Sequence, residues 1–363
     1  MLKACKINKM NAWFDGFFGL HFFGRNVQPL LFLRAMKRLI FFSIATIFNL
    51  NAIAQSFDSL YALKGSKKYF YADYSGARIT DEKFTLTRPF SNKLAVASDK
   101  SYSGLFPPLQ GLITPKGDWF VNPIYDEIGD FTDGVAPFKI KGKWGLLNRE
   151  GLISMPARFN KVDYIGSGYC GIDDNYKWGY SDYFGNVKIA AIYTEITPFE
   201  GNFAMVRMGS RWLMINKSGK QAVASDWDYA GAFSEGLAPT KYSGGLWAYI
   251  DTTGKRVIQA AFKDARPFKE QRAAVRINEY WGFIDRTGQD VVSAVYSKVQ
   301  DFSEGYAAVY YKGKWGFVDR FGKVVVRAVY TSVEPFRAGL ARVKDGSGRS
   351  HYINAEGMIV LSE

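Results

Sequence analysis

Few residues of this chain could do chemistry, and their placement narrows the choice further. Of two histidines only His351 lies outside the first 54 residues. A lone imidazole near the C-terminus argues against histidine-dependent acid–base or triad catalysis. Two cysteines, Cys5 and Cys170, cannot build a zinc site without clustered histidines. The stretch "GIDDNYKWG" offers Asp173, Asp174 and Asn175 to a hard cation, but it lacks the full ligand set of a calcium loop. Glycine-rich stretches around Ile165 to Gly171 fall at turn positions and do not form a phosphate-binding loop. A pair of carboxylates facing each other across a cleft, as in glycoside hydrolysis, is the one catalytic chemistry that composition leaves open. No cofactor and no metal are expected.

What does recur is a Trp-Gly pair. Trp144, Trp178, Trp212, Trp247, Trp281 and Trp315 are 34 or 35 residues apart, and a glycine follows each after seven residues: Gly151, Gly185, Gly219, Gly254, Gly288 and Gly322. The beat continues outward to Gly117 and Gly76, and to Gly357, where Gln110, Tyr69 and Ser350 stand in place of Trp. An Asn or Asp three residues before each glycine makes a D/N-x-x-G turn, in which the carboxylate or amide collects backbone N–H groups and glycine supplies a positive φ. Fifteen residues after each Trp comes an aromatic: Phe159, Tyr193, Trp227, Phe262, Tyr296 and Tyr330. Those rings and the six tryptophans are read as the structural core of the repeat, stacking from unit to unit. The glycine after Trp is read as a close approach of another backbone, with Leu213 and Ala248 as exceptions. Cys170 occupies a slot that is Ala136, Ala204, Ala238, Ala273, Ala307 or Ala341 elsewhere, which makes it a buried packing residue.

A period near 34 also suits paired helices, so the pattern within the unit must decide. Residues 302–336 hold β-branched and aromatic runs separated by glycine turns every eight to twelve residues, which is strand patterning. Three strands are expected there: Ala307 to Tyr311, Lys314 to Asp319 and Val324 to Tyr330. The expected fold is therefore all-β, a tandem array of about 34-residue three-stranded antiparallel units, either an open superhelix or propeller-like. The K-W-G-[FLY]-x-[DN]-x-x-G core with F-x-E-G-x-A resembles the WG (KWG) β-repeat family of bacterial exported proteins. That resemblance covers about residues 61–363 and implies a β array usually without enzymatic activity. The family's frequent Pro two residues before the last aromatic is kept at Pro123, lies one residue off at Pro156, and is replaced around Ala191, Ala260, Ala294 and Ala328.

The units divide the chain into a degenerate N-terminal repeat or cap at 55–89, WG-type repeats at 90–336 and a degenerate C-terminal repeat or cap at 337–363. Ahead of them, residues 36–54 carry the parts of a signal peptide: Lys37 and Arg38, an apolar run from Leu39 to Leu50, and Ala52-Ile53-Ala54 as a cleavage site. The run is too short for a comfortable membrane span. A secreted or periplasmic protein starting at Gln55 is expected, with no stable span after cleavage, and residues 1–35 read as a mis-called extension. The processed chain keeps 40 basic and 33 acidic residues. This mild positive excess suits acidic partners.

Two features outside the repeat grammar could bind. The tips between the first two strands carry Lys139, Lys141, Lys143, Arg207, Arg211, Lys241, Arg276, Lys312 and Lys314, which stacking in one orientation would gather into a basic rim. The longer step from Phe90 to Gln110 holds an apolar loop with Tyr102 and Phe106. The expectation is a non-enzymatic binding or scaffold protein of the cell envelope, recognising a protein or an anionic glycan. Nucleic acid is disfavoured by export. The alternatives are an envelope hydrolase using a carboxylate pair and a structural spacer.

Overall fold

A computed structural model describes residues 60–91, 93–99, 108–242 and 244–362. The signal-peptide segment, the preceding extension, Tyr102 and Phe106 lie outside the described residues. Among the described residues every regular element is a strand. After a two-stranded hairpin, β1 (Tyr61–Lys64) and β2 (Tyr69–Ala72), come eight antiparallel four-stranded sheets, numbered here as blades 1 to 8. Blade 7 shows the plan: strand a is Lys298–Val299, b Tyr306–Tyr311, c Lys314–Asp319 and d Val324–Tyr330, paired in the order a-b-c-d. Strands b, c and d are where the sequence places them. Strand a is the addition: two residues that follow the previous blade's d strand after one linking residue and pair with the next b strand, Lys298 with Tyr310 and Val299 with Val309. Each d strand thus hands the chain directly to the neighbouring blade.

The unit's sequence dictates its turns. Asp319 Oδ1 accepts from the amides of Phe321 and Lys323, and Gly322 sits at φ 86°. The c and d strands are joined out of step: Trp315 pairs with Tyr330 but Phe317 with Val326, so d carries two extra residues opposite Gly316. A Cβ on Gly316 would lie 2.5 Å from the Val326 carbonyl oxygen, and the same holds at Gly145, Gly179 and Gly282 to within 0.1 Å. This β-bulge is the close approach the Trp-Gly pair exists to permit. Where Leu213 replaces glycine the register changes, Leu213 pairing directly with Asp226 and the irregularity moving beyond it. Pro123 lies in the same bulge of blade 1, where the ladder does not need its missing N–H.

The cores lie between blades, and nine of them follow one another round the molecule. The cluster joining blades 7 and 8, for example, combines Phe317, Val326 and Tyr330 of one with Val333, Phe336 and Val343 of the other. The ninth joins the last blade to the first hairpin: Tyr61, Leu63 and Ala72 pack with Leu340 and Leu361. Tyr61 donates its hydroxyl to the Ala338 carbonyl at 2.6 Å, and Tyr352 donates to that of Ala62 at 2.9 Å. The array is therefore a closed eight-bladed β-propeller, with the β1–β2 hairpin wedged between blades 8 and 1. The two terminal units pack on one another.

The six tryptophans pack in or against the clusters between blades, most of them at the margins. Trp212 is buried, and the other five lie half-buried at the margins of the clusters. Each pairs across strands with the aromatic fifteen residues later, within one blade and not between units. The ring stacked between blades is the residue two after Trp, against the Phe that opens the next unit. Phe317 meets Phe336 at 4.8 Å, Phe283 meets Phe302 at 4.8 Å, Tyr249 meets Phe268 at 5.1 Å and Tyr180 meets Phe199 at 4.7 Å. All four pairs are edge-on, the arrangement that ring quadrupoles favour.

Candidate functional site

The turn between strands a and b carries the F-x-E-G motif, and it lies where neighbouring blades converge. Equivalent residues of adjacent blades bond directly there, as they can only close to the ring's axis. Ser234 Oγ donates to the Phe268 carbonyl at 2.6 Å and Ser303 Oγ to that of Phe336 at 2.8 Å. The glutamates of the motif are staples: Glu200 takes the Glu235 amide at 2.9 Å, Glu235 the Gln271 amide, Glu270 that of Gly305 at 2.7 Å, and Glu304 those of Ala338 and Gly339 at 2.7 and 2.8 Å. Asp133 plays this part toward Gly168, and Ser167 toward Gly201. Positive φ at Glu235, Glu270 and Glu304 turns the donor amides toward the preceding blade. These glutamates are not among the candidate residues that the sequence marks out. Their recurrence ahead of glycine was the signal that could have found them.

The hairpin tips between strands b and c emerge on the face opposite these turns. They carry the basic residues read from sequence, but the structure divides them. Arg207 is paired with Glu195, Arg211 with Asp226 and Asp228 at 2.8 and 2.6 Å, and Arg276 with Asp264 at 3.9 Å. Glu195 and Asp264 lie on strand a of the same blade as their arginines, Asp226 on strand d of Arg211's blade and Asp228 just after it. Lys143 donates to Asn160 at 2.8 Å, while the ammonium groups of Lys139, Lys241 and Lys312 stand over the rings of Trp144, Tyr229 and Tyr311 at 5.3 to 5.9 Å. No carboxylate pairs with Lys139, Lys141, Lys143, Lys241, Lys312 or Lys314 among the described residues. Among these residues the unneutralised charge therefore sits on blades 2, 5 and 7, with the ion-paired arginines of blades 4 and 6 between them.

Groups that could act as nucleophiles are tied up. Cys170 is buried, and desolvation pushes its thiol up to about 12. His351 Nε2 lies 3.1 Å from Asp345 Oδ2 and Nδ1 lies 3.0 Å from Ser362 Oγ. This Asp-His-Ser set ties strand c of blade 8 to strand d, where His351 pairs with Ser362. The Ser347 hydroxyl and then His351 hold the Asp345 carboxyl well below the usual carboxylate range. Burial would raise Asp182, but the Asn186 side chain and the turn amides outweigh it and hold that carboxyl at about 2. Asp251 and Asp285 are likewise depressed, chiefly by the Thr253 and Thr287 hydroxyls. Among the described residues no three His, Cys, Asp or Glu side chains converge as a metal site.

Two cavities open along the inner turns. One of about 420 Å³ is lined by Arg266, Lys269, Gln300, Asp301, Ser303 and Arg337 of blades 6 to 8. Arg266 is held by Asp301 at 3.4 Å and stands over the Trp281 ring at 4.7 Å. The other, of about 900 Å³, lies at the seam between blade 8, the β1–β2 hairpin and blade 1.

Sequence comparison matches a family model, described as WG containing repeat, at residues 111–144, 178–212, 214–247, 247–281, 281–315 and 315–347, together more than half of the chain. The chain belongs to the WG-containing-repeat family. No curated protein matches it in sequence. Among solved structures, this WG-repeat propeller is similar to the crystal structure of a eukaryotic initiation factor, at 11% identity and a TM-score of 0.56, covering 84% of this chain and 95% of that one. It also matches BamB from Moraxella catarrhalis at 11% identity and a TM-score of 0.39, covering 81% and 96%. At such identities the first likeness is one of fold alone.

Proposed function

We propose that this WG-repeat propeller is an exported, non-enzymatic binding or scaffold protein of the cell envelope. It acts from a secreted or periplasmic chain starting at Gln55, and it holds a protein or an anionic glycan through hairpin tips on one face. The observation that carries this reading is the division of the basic tips. The arginines are neutralised inside the protein, whereas the lysines of blades 2, 5 and 7 present charge with no acid beside them. Lysine tips beside Tyr229, Tyr311 and Trp144 combine a cation with a flat ring, a pairing that suits sulfated or uronic sugars and acidic peptide surfaces. A carboxylate-pair hydrolase is the weaker reading, because the repeat acids are committed to turns and staples. The propeller is a fold whose loops are often used for binding.

The test is charge reversal at Lys312→Glu and Lys314→Glu, read on a glycan array and by pull-down. Any anionic ligand captured by the native protein should bind at least about fivefold more weakly, and binding should fall with added salt. Affinity that is indifferent to both changes would overturn the lysine-tip reading.

A further inference from the structure

We propose that the cavity of about 420 Å³ at the inner turns of blades 6 to 8 binds a small hydroxylated anion, a sugar acid or a sugar phosphate. Pockets for ligands of that kind run from about 300 to 1,000 Å³. Three cations line it, Arg266, Lys269 and Arg337, against one acid, Asp301.

The repeat separates what a joint between blades needs from what this cavity adds. The residue after the opening Phe is Ser91, Thr132, Ser234 and Ser303 in blades 1, 2, 5 and 7, and of the eight blades only 6 and 8 place a cation there, Lys269 and Arg337. Ser234 and Ser303 use the slot to donate to the carbonyl of the next unit's Phe. Lys269 gives up that bond, and no acceptor takes its ammonium among the described residues. A cation kept in a cavity wall with no acid of its own draws anions.

Arg266 is already held in place. Its Nη1 donates to the Val299 carbonyl at 3.2 Å and to Asp301 Oδ1 at 3.4 Å, and its guanidinium stands 4.7 Å from the Trp281 ring centre. These contacts leave Nε and Nη2 without an acceptor among the described residues. A planar guanidinium fixed in this way suits the paired oxygens of a carboxylate or phosphate. Arg88 and Asp130 make the same ion pair between blades 1 and 2, so the pair belongs to the joint and the further cations are the addition.

Gln300 supplies the preference for hydroxyls. Its slot is Gly129 in blade 2 and Gly231 in blade 5, so the joint does not require an amide there. Its Nε2 donates to the Val333 carbonyl at 3.4 Å, and Oε1 is shielded from solvent with no donor in the protein. An acceptor left in that state is costly. A small turn of the side chain brings Oε1 to the cavity, where a ligand hydroxyl can donate to it. This site is separate from the lysine tips on the opposite face, and the failure of either leaves the other standing.

The test is isothermal titration calorimetry on the full chain with glucuronate, glucose 6-phosphate and glucose. At least one of the two anions should bind with a Kd below about 1 mM, and glucose at least about tenfold more weakly. Which anion binds names the acid group. Lys269→Ser, the residue type of blades 5 and 7, keeps the joint and should weaken that anion about tenfold, while Gln300→Leu should weaken it about threefold. Lys312→Glu with Lys314→Glu should leave it unchanged. The proposal is overturned if neither anion binds, if glucose binds as tightly, or if Lys269→Ser leaves the anion's affinity intact. Loss of binding through the Lys312 and Lys314 changes alone would place the sugar at the tips and overturn it as well, and an affinity indifferent to Gln300→Leu would remove the hydroxyl contact.

Discussion

At the scale of single residues, the propeller's joints depend on acids that look ornamental in sequence. Glu304 accepts two amides from blade 8 at 2.7 and 2.8 Å, and both bonds are charge-assisted. Glu304→Ala leaves Ala338 and Gly339 N–H groups without that acceptor at a turn already held at positive φ. The side chain is solvated, which lowers the cost of each lost bond, so about 2 kcal/mol of destabilisation is expected. Glu304→Gln keeps one acceptor oxygen and should cost about half as much. A urea melt of both variants checks the order. Equal stability of Glu304→Ala and the native chain would show the staple to be without energetic weight.

At the scale of elements, the interface between blades is set by the ring two residues after Trp. Phe283 is 1% exposed and packs edge-on against Phe302 of the next blade, while Trp281 lies half-buried beside the same cluster. Phe283→Ala removes a ring from a sealed core and is expected to cost about 3 to 5 kcal/mol. Trp281→Ala opens onto solvent, loses the contact with Arg266, and should cost about 1 to 2 kcal/mol less than that. The two midpoints in a chemical melt, measured together, decide which ring is the mortar. The sequence made the strand limits legible, because b, c and d are long enough for alternation and are bounded by D/N-x-x-G turns. It concealed strand a, since two residues show no period and their partner lies in the next unit. It pointed to tryptophan because tryptophan is rare and regular. The position two later varies among Phe, Tyr, Leu and Met, and its importance comes from burial, which a repeat alignment does not display. Among the candidate ligand residues, the lysines and arginines looked alike in sequence. The acids that separate them, Glu195, Asp228 and Asp264, follow the d strand of the blade before or the same blade's own end, where only the fold brings them to the tips.

At the scale of the whole molecule, closure is what the repeat pattern left open and the terminal units settle. Each unit of an open array leaves its end blades with one neighbour, and such arrays fray from the ends. In the ring every blade has two, and the closing joint between blade 8 and β1–β2 rests on the Tyr61–Tyr352 pair, with ring centroids 5.3 Å apart and two hydroxyl-to-carbonyl bonds. Tyr61→Phe with Tyr352→Phe keeps both rings and removes both bonds, for an expected loss of about 2 kcal/mol at that joint. The consequence should be local before it is global. Amide exchange would quicken first in β1, β2 and Ala341–Lys344, while Phe203–Met208 and Arg211–Asn216 on the far side of the ring keep their protection. Native-state exchange on the double variant separates this from an open superhelix. If the seam strands exchanged no faster than in the native chain, while all blades lost protection equally, the hairpin would not be the latch that these contacts describe.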